Sequence, residues 1–261
     1  MMKAEIVFLG SGTSMGVPTL GCNCAVCHSS DPRDRRTRPS IAVLFPQGES
    51  ERCILIDSGP DFRQQALREN LDHIDAVLYT HSHADHILGL DDLRPLSFKH
   101  TEKIPLYADR ATTDVLSTIF EYTFSESNTY PHKARVALHP LKAHTHLFDA
   151  DFVTVPLLHG DLETSGFRFG NAAYLTDMSA IPEKSYALLQ DLDVLVLDAL
   201  RRTPHPSHSN VEAALAFVDE IRPRRAWFTH MSHDLGHAAT ENDLPPHVRL
   251  SYDGLRIPIE L

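Results

Sequence analysis

The chain has 261 residues, a formal net charge of −11 and 17 histidines. A chain of this size buries about 70–75% of its unfolded surface, so a core can form without disulfide bonds. The acidic balance argues against a long nucleic-acid substrate, because such substrates usually require a basic face. No apolar run approaches the roughly 20 residues that span a bilayer, and the opening residues do not form a signal segment. We therefore expect a soluble, cytoplasmic protein with one domain over residues 1–261.

A short apolar run at residues 6–9 predicts the first strand, and a cluster of cysteines follows it. Cys22, Cys24 and Cys27 supply three thiolates that can face one tetrahedral zinc ion. A fourth ligand must come from elsewhere, and His233 is the candidate because it lies close to another predicted metal ligand described below. Redox-active or simply reduced thiols are the alternative, since three cysteines without a second half are less specific than a complete zinc finger.

Six apolar runs further along the chain are each closed by histidine or aspartate, either directly or one threonine later. Short apolar runs bounded by polar residues predict buried strands. Open sheets place ligand sites just beyond the ends of their strands, so these side chains should meet at one edge. One such residue alone is more often an ordinary strand end, and the inference therefore rests on the whole set. The closing residues are Asp57, His81, His159, Asp177, Asp198 and His230.

The densest group of metal-binding side chains lies at residues 81–86, which contain His81, His83, Asp85 and His86. Imidazole and carboxylate bind borderline divalent cations such as Zn²⁺ and Mn²⁺. His81 and His83 alternate along the backbone and point the same way, whereas the other two follow at a different angle. Two adjacent metal ions, each taking part of the motif, are therefore predicted. A polar loop that happens to be rich in histidine is the alternative.

Four segments are predicted to form helices between these strands. The last of them is opened by Ser209 or Asn210, which are favoured as helix N-caps. The polar residues 125–131 form either a lid over the site or an ordinary loop. The helical segments are residues 61–69, 112–122, 183–192 and 210–221.

Two further groups of polar residues have weaker interpretations. Arg94 and the basic residues 33–38 either anchor a second phosphate of the substrate or belong to a solvated face. Several histidines, His237 among them, are assigned to the surface or to loops without a role.

Seven motifs carry a resemblance to a known family, and they run in order over most of the chain. They are residues 10–18 (Gly-Ser-Gly-Thr-Ser-Met-Gly-Val-Pro), 21–27, 36–40, 55–59, 81–86, 89–94 and 229–233. This set resembles the metallo-β-lactamase superfamily, whose hallmark is H-x-H-x-D-H followed by separate His, Asp and His ligands. More narrowly, it looks like the branch typified by the phosphoribosyl cyclic phosphodiesterase of phosphonate breakdown. Related cofactor-biosynthesis and RNA-processing branches share parts of the pattern.

The resemblance implies an α/β fold of the αββα sandwich type, the metallo-β-lactamase fold, in which helices flank two packed mixed β-sheets. The site lies at one end of the two sheets, and Asp177 bridges two metal ions. Asp57 matches a carboxylate that supports a ligand imidazole rather than binding metal itself. One ion is assigned to His81, His83 and His159, and the other to Asp85, His86 and His230. A separate structural zinc is assigned to Cys22, Cys24, Cys27 and His233.

The expected chemistry uses both ions, which are Mn²⁺ or Zn²⁺. Two such ions lower the pKa of a shared water, and the bridging hydroxide attacks phosphorus. His208 is the predicted general acid for the leaving oxygen, and its position matches the corresponding histidine of the family. His205 as the acid, or a plain loop role for His208, is the alternative. Asp85 and Asp57 complete the predicted catalytic set.

The predicted function is therefore metal-dependent hydrolysis of a small phosphodiester, such as a cyclic or ribose phosphate. The resemblance also implies a homodimer, because dimers are common in the family. A tRNA 3′-processing endonuclease is the first alternative, weakened by the acidic balance and by the lack of a long basic insertion that grips tRNA. A cofactor-biosynthesis protein, similar to that of pyrroloquinoline quinone biosynthesis, is the second. β-Lactam hydrolysis is disfavoured, because by family resemblance the Asp85 and Asp177 pair favours phosphoester chemistry.

Overall fold

The structure, a computed structural model, describes residues 2–125 and 127–261. Within these ranges the strands form two seven-stranded sheets. The strands are β1 Lys3–Gly10, β2 Ser40–Gln47, β3 Ser50–Ile56, β4 Ala76–Leu78, β5 Ile104–Ala108, β6 Val136–Pro140, β7 His144–Leu147, β8 Ala150–His159, β9 Leu162–Phe169, β10 Ala172–Leu175, β11 Val194–Asp198, β12 Arg225–Thr229, β13 Val248–Leu250 and β14 Arg256–Glu260.

The first sheet has the order β14-β1-β2-β3-β4-β5-β6, and the second has the order β13-β12-β11-β10-β9-β8-β7. Strand β3 is antiparallel to β2 but parallel to β4, so the first sheet changes from antiparallel to parallel pairing there. The second sheet makes the same change at β10, which is antiparallel to β9 and parallel to β11. Both sheets are therefore mixed, as predicted.

Helices follow the parallel strands and pack on the outer faces of the sheets. Short 3-10 helices lie at Pro32–Asp34, Leu90–Leu93 and Ala187–Leu189. The α-helices are α1 Phe62–Glu69, α2 Ala84–Ile87, α3 Arg94–Ser97, α4 Arg110–Ile119, α5 Glu121–Phe124, α6 Glu183–Tyr186, α7 Val211–Ile221 and α8 His237–Asp243.

Alternation along the strands divides the core into three layers, because successive side chains of a strand face opposite sides. In β1, Ile6 and Phe8 pack between the two sheets, whereas Val7 packs toward the helices of the first sheet. In β11, Val196 packs between the sheets and Leu197 packs with the apolar face of α7. The order helix, sheet, sheet, helix confirms the predicted αββα sandwich.

The predicted helices are present, with changed bounds in two cases. The segment 210–221 forms α7, and Asn210 caps it by accepting a hydrogen bond of 3.0 Å from the backbone N–H of Ala213. The prediction for residues 183–192 was too long, because Gln190 takes an extended backbone conformation after the last helical turn. The predicted helix at 112–122 begins at Arg110 and is interrupted at Phe120.

The surface assignment of His237 was wrong. Its side chain is buried at the start of α8, where its backbone N–H donates to Asp34 and its ring meets Tyr252 edge-on. The segment 125–131 contains residue 126, which lies outside the described residues; its possible role as a lid stays a prediction. Over the described parts of the chain, every helix falls short of the length and apolar character that crossing a membrane requires.

Candidate metal centre

The predicted donor residues meet at one edge of the sandwich, and both sheets contribute. Three residues at this edge, Asp57, Asp177 and His230, have positive φ angles of 65°, 53° and 60°. Such backbone is uncommon outside glycine and persists only where the surroundings enforce it, often at functional sites. The chain therefore turns sharply where these strands end. The strand-end residues at this edge are Asp57, His81, His159, Asp177, Asp198 and His230.

The carboxylate of Asp177 lies at the centre of the cluster. Its Oδ2 is 3.1 Å from Nε2 of His86, and its Oδ1 is 3.3 Å from Nε2 of His230. The same Oδ1 lies 3.9 Å from Nε2 of His81 and 4.0 Å from Nε2 of His159. One carboxylate thus faces imidazoles from both halves of the sandwich, which is the position that a bridging ligand requires.

The predicted ligand atoms around Asp177 form two groups, each compact enough to surround one ion, and a third group of Asp177, His208 and His230 overlaps both. Within each group the ligand atoms lie within 4.8 Å of one another. The first group is His81, His83, His159 and Asp177, and the second is Asp85, His86 and His230. The structure therefore brings together the seven residues that the sequence predicted as active-site metal ligands.

The donor atoms fit divalent cations, because several of them are buried without a hydrogen-bond partner. These atoms are Nε2 of His81, His86 and His230, and Oδ2 of Asp85. A buried polar atom without a partner costs about 1–3 kcal/mol. Cations between these atoms would satisfy them together, and neutral imidazole with carboxylate is a donor set that suits zinc or manganese.

The outer nitrogens of His86 and His159 are held by other groups, which orients the inner nitrogens of these two imidazoles. Nδ1 of His86 lies 2.7 Å from Oδ2 of Asp57, and Nδ1 of His159 lies 2.7 Å from the carbonyl oxygen of Ser207. Asp57 also accepts hydrogen bonds of 2.8 Å from the backbone N–H and the hydroxyl of Thr80. Metal-binding histidines generally have such supporting partners, which fix the ring and its tautomer.

Neighbouring imidazoles keep the central carboxylate of Asp177 ionised. Burial alone raises the pKa of Asp177, but the neighbouring His230 and His86 outweigh burial and bring that pKa well below its usual range. Burial likewise works against protonation of His230, yet Asp177 and Asp85 raise its pKa to about 9. Asp177 is therefore available as a donor, and a bound cation would replace the proton on His230.

Gly59, the last residue of the motif at residues 55–59, allows two segments of the site to lie in close contact. A Cβ atom on Gly59 would lie only 2.0 Å from the backbone oxygen of Asp85. The backbone N–H of Ser58 donates to the carbonyl oxygen of His86 over 2.8 Å. Because no side chain intervenes, the segment that carries Asp57 lies directly against the segment that carries Asp85 and His86.

His208 lies beside both groups, and a residue without an assigned role supports it. Nδ1 of His208 is 2.6 Å from Oδ2 of Asp198, and its ring centroid lies 4.5 Å from that of His159 and 4.7 Å from that of His230. The competing His205 instead accepts a hydrogen bond of 3.3 Å from the backbone N–H of Ser207. Sequence reasoning had placed Asp198 at the edge but gave it no function. Its position at a strand end, ten residues before His208, was the available signal.

The predicted cysteine group also assembles. Nδ1 of His233 lies 3.1, 3.4 and 3.6 Å from the Sγ atoms of Cys22, Cys24 and Cys27. Zinc bonds of about 2.3 Å to sulfur and about 2.1 Å to nitrogen at tetrahedral angles would separate these atoms by about 3.6 Å. The backbone N–H of Cys27 donates to Sγ of Cys24, which lowers the pKa of that thiol to about 6. The four residues thus fit one tetrahedral cation.

Three of the four arginines at residues 33–38 are engaged by other groups of the protein, and the phosphate anchor proposed for this segment stays a prediction. Arg33 pairs with Asp31 at 2.7 Å, and Arg38 pairs with Asp61 at 3.0 Å. Arg36 is buried and donates to backbone carbonyls, so it is unavailable to substrate. Arg94 lies 3.6 Å from Asp91 and is half exposed.

The sandwich and its donor cluster define the class of metallo-β-lactamase-fold hydrolases. Residues 52–231, more than half of the chain, match the family model described as a beta-lactamase superfamily domain. The chain therefore belongs to this superfamily. The cysteine group and His233 lie outside the matched range.

Three known proteins show how close the relatives are. A crystal structure of a new diphosphatase from the PhnP family is 49% identical, with a TM-score of 0.92 and coverage of 100% of this chain and 98% of that one. The octanoyltransferase of Porphyromonas gingivalis is 40% identical over 97% of this chain but 51% of its own length. The chain thus spans about half of that relative. The structure of Zn²⁺-bound PqqB from Methylobacterium extorquens is 21% identical, with a TM-score of 0.74 over 97% of this chain and 99% of that one, which shows the shared fold.

Proposed function

We propose that the protein is a hydrolase that uses two divalent cations to cleave a small phosphodiester. The observation that carries the proposal is the position of Asp177 between two groups of donors, with the His208 and Asp198 pair beside them. The 49% identity to a diphosphatase of the PhnP family supports chemistry at phosphorus. Since donors from both sheets enter the same site, we also propose that residues 1–261 act as one domain.

The proposal assigns each residue of the cluster a task. His81, His83 and His159 would hold one ion, Asp85, His86 and His230 the other, and Asp177 both; Mn²⁺ and Zn²⁺ are the candidates. Such a pair of ions activates a water and neutralises charge on phosphoryl oxygens.

The protein itself supplies the proton and the orientation. His208 donates to the leaving oxygen, and Asp198 holds its other nitrogen so that the ring keeps one orientation. Asp57 keeps the His86 imidazole aligned.

The size of a cleft beside His208 supports the proposal that the leaving group is small. It has a volume of about 230 Å³ and lies between the loop of residues 13–15 and the segment of residues 232–234. Arg201 and His205 also line it. Ligand pockets for drug-sized molecules measure about 300–1,000 Å³, so this cleft suits a sugar or a mononucleotide better than a folded RNA.

Hydrolysis of a diphosphate is the second candidate, because the PhnP-family relative is described as a diphosphatase. The two reactions use the same ions but differ in the leaving group. A sugar hydroxyl needs a proton as it leaves, whereas a phosphate group leaves without one. The dependence on His208 therefore distinguishes the two candidates. The octanoyltransferase name belongs to a protein of which this chain spans about half, and the proposed site is built for hydrolysis at phosphorus.

The test uses metal-stripped protein reloaded with Mn²⁺ or Zn²⁺ and four substrates: bis(p-nitrophenyl) phosphate, 2′,3′-cyclic AMP, ADP-ribose and a precursor tRNA. We expect metal-dependent turnover of the first two, and loss of that turnover in Asp177→Ala. His208→Ala should reduce turnover of the cyclic phosphate by about 10²–10⁴-fold and affect the p-nitrophenyl ester much less. His205→Ala, a change in the same loop, is the matched control.

The remaining outcomes each favour another function. Turnover of ADP-ribose alone, insensitive to His208→Ala, would replace the phosphodiesterase by a diphosphatase. Activity confined to precursor tRNA would favour the RNA-processing alternative. Protein that holds its ions but turns over none of these substrates would favour the non-hydrolytic alternative of cofactor biosynthesis.

A further inference from the structure

Arg36 is the largest of the fully buried side chains, and its guanidinium donates hydrogen bonds to one short loop. The side chain is 1% exposed. One terminal nitrogen donates to the carbonyl oxygen of Ser232 over 2.9 Å, and the other donates to that of Leu235 over 2.6 Å. Its charge is balanced by Asp34 at 3.2 Å. A buried arginine is costly unless its donors are satisfied, so these contacts define where the loop lies.

That loop, residues 230–235, carries one donor of the second active-site group and one donor of the cysteine group. His230 belongs to the Asp85 and His86 group, and His233 belongs to the cysteine group. Between them, the backbone N–H of Met231 donates to the carbonyl oxygen of Ser11 over 3.0 Å. Two residues after the loop, the backbone N–H of His237 donates to Asp34 over 2.7 Å. Arg36 and Asp34 together thus hold the loop from its middle to its end.

A glycine brings the loop of residues 10–13 against the same arginine. A Cβ atom on Gly12 would lie 2.8 Å from both the Cβ and the carbonyl oxygen of Arg36. On its other side, Gly12 forms a bridge with Met231. Three chain segments therefore stack in direct contact, and Arg36 lies within the stack.

We propose that Arg36 is a positioning residue that couples the two metal sites through the 230–235 loop. The inference rests on the proposed ligands of those sites. When the cysteine group binds its cation, His233 is fixed, and the loop held by Arg36 keeps His230 aligned with Asp85 and His86. By thermodynamic linkage, an ion at either site then strengthens binding at the other by the same factor.

The coupling is selective, which separates it from general destabilisation. His81, His83 and His159 come from other strands and make up most of the first group of donors. Loss of Arg36 should therefore weaken binding of the ion held by Asp85, His86 and His230, and leave binding of the other active-site ion unchanged. Changes to groups that orient metal ligands commonly cost about 10- to 100-fold in affinity.

The experiment measures metal binding rather than turnover. Each protein is prepared with zinc at the cysteine group, depleted of active-site metal and titrated with Mn²⁺. The proteins are the wild type, Arg36→Met, Arg36→Lys, Gly12→Ala and the control Arg35→Met. Binding is followed by calorimetry and by the electron paramagnetic resonance signal of a spin-coupled ion pair. Arg35 is the exposed neighbour of Arg36 in the same segment. A second series uses Cys24→Ser, and Co²⁺ at the cysteine group is followed by its thiolate absorption with and without Mn²⁺.

We expect Arg36→Met to bind the first Mn²⁺ as wild type does and the second about 10- to 100-fold more weakly, with loss of the spin-coupled signal. Arg36→Lys and Gly12→Ala should show smaller changes in the same direction, and they carry the test if Arg36→Met does not fold. Cys24→Ser should weaken the same Mn²⁺ step, and Mn²⁺ should tighten Co²⁺ binding by an equal factor.

Two results would overturn the coupling: equal weakening of both Mn²⁺ steps, or unchanged Mn²⁺ and Co²⁺ binding in folded variants. A wild-type protein that binds a single Mn²⁺ would instead contradict the dinuclear proposal, while the effect of Arg36 on the Co²⁺ spectrum still decides whether the arginine orients His233.

Discussion

Nδ1 of His208 lies 2.6 Å from Oδ2 of Asp198, and the same carboxylate oxygen accepts a hydrogen bond of 3.2 Å from the backbone N–H of Met178. Met178 directly follows Asp177, which lies at the centre of the candidate metal cluster. The proposed proton donor and the proposed bridging ligand are therefore fixed relative to each other by one buried carboxylate. The orientation of His208 therefore depends on the position of Asp198 at the end of β11.

Asp198→Asn should lower turnover of a cyclic phosphodiester while sparing substrates with a good leaving group. The asparagine amide does not stabilise a charged His208 imidazole as the carboxylate does. The rate on the cyclic substrate should fall because general acid catalysis contributes about 10²–10⁴-fold to the rate. The measurement is kcat on 2′,3′-cyclic AMP and on bis(p-nitrophenyl) phosphate, with metal content determined for each preparation. An equal loss on both substrates would mean that Asp198 supports the metal cluster rather than proton transfer.

Asp57→Asn should weaken metal binding about 10- to 100-fold without unfolding the protein. The carboxylate accepts from Nδ1 of His86, and asparagine tolerates the positive φ of 65° at this position. The affinity is measured by competition with a chelating dye, and the fold by circular dichroism. Wild-type affinity in the variant would show that His86 keeps its orientation without this partner.

Cys24→Ser should lower the melting temperature and the zinc content together, because a structural zinc ion contributes folding free energy. The substitution removes one donor of the cysteine group while changing little else in volume. Cys53→Ala, a cysteine buried in β3 away from the cluster, is the control that should keep its zinc. An unchanged melting temperature with undiminished zinc content would contradict the structural role.

The stability of the protein should fall as pH decreases from about 6.5 toward about 4, in part because of His237. Burial, together with Arg33 and Arg36, lowers the pKa of His237 to about 4, against the pull of Glu241 and Asp31. The unfolded chain, with a pKa near 6.5, therefore binds a proton over this range that the folded protein does not, and stability rises with pH there.

His237→Gln tests this contribution through urea unfolding at pH 7, 5.5 and 4.5. The variant should show a shallower loss of unfolding free energy between pH 6.5 and 4 than the wild type does. Both proteins lose stability from their carboxylates and from zinc release, so the difference between them isolates the histidine. Parallel curves would show that His237 does not titrate differently on folding.

Four of the seven proposed metal ligands could be predicted from the sequence because each of them closes an apolar run, and the other three lie in the histidine-rich motif at residues 81–86. The apolar run of β4 is followed by His81, and the apolar runs of β10 and β12 are followed by Asp177 and His230. Parallel strands of one sheet end at the same edge, so the donors of each sheet were expected to meet. The whole set of run-closing residues was expected to meet at one edge if the sheets pack together. The packing itself was implied by the family resemblance, since spacing along the chain does not report how two sheets pack.

The helix bounds and the buried histidine show where local pattern was insufficient. The helix at 183–192 had suitable local residues, but its chain turns away after Leu189, where packing against β8 and α7 decides the path. His237 follows a glycine in a polar segment, and its burial depends on Asp34 and Tyr252, which are distant in sequence.

The sequence by itself determined the proposed donor set and the strand ends that carry it, because these follow from residue type and local periodicity. The class of fold was implied by the resemblance of its motifs to a known family. The roles that we propose for Asp198 and Arg36 rest on the tertiary structure alone. A carboxylate at a strand end and an arginine in a basic run have no distinctive local signal. The proposals depend on contacts with His208 at 2.6 Å and with the carbonyl of Ser232 at 2.9 Å, which form only when separate segments of the chain pack together.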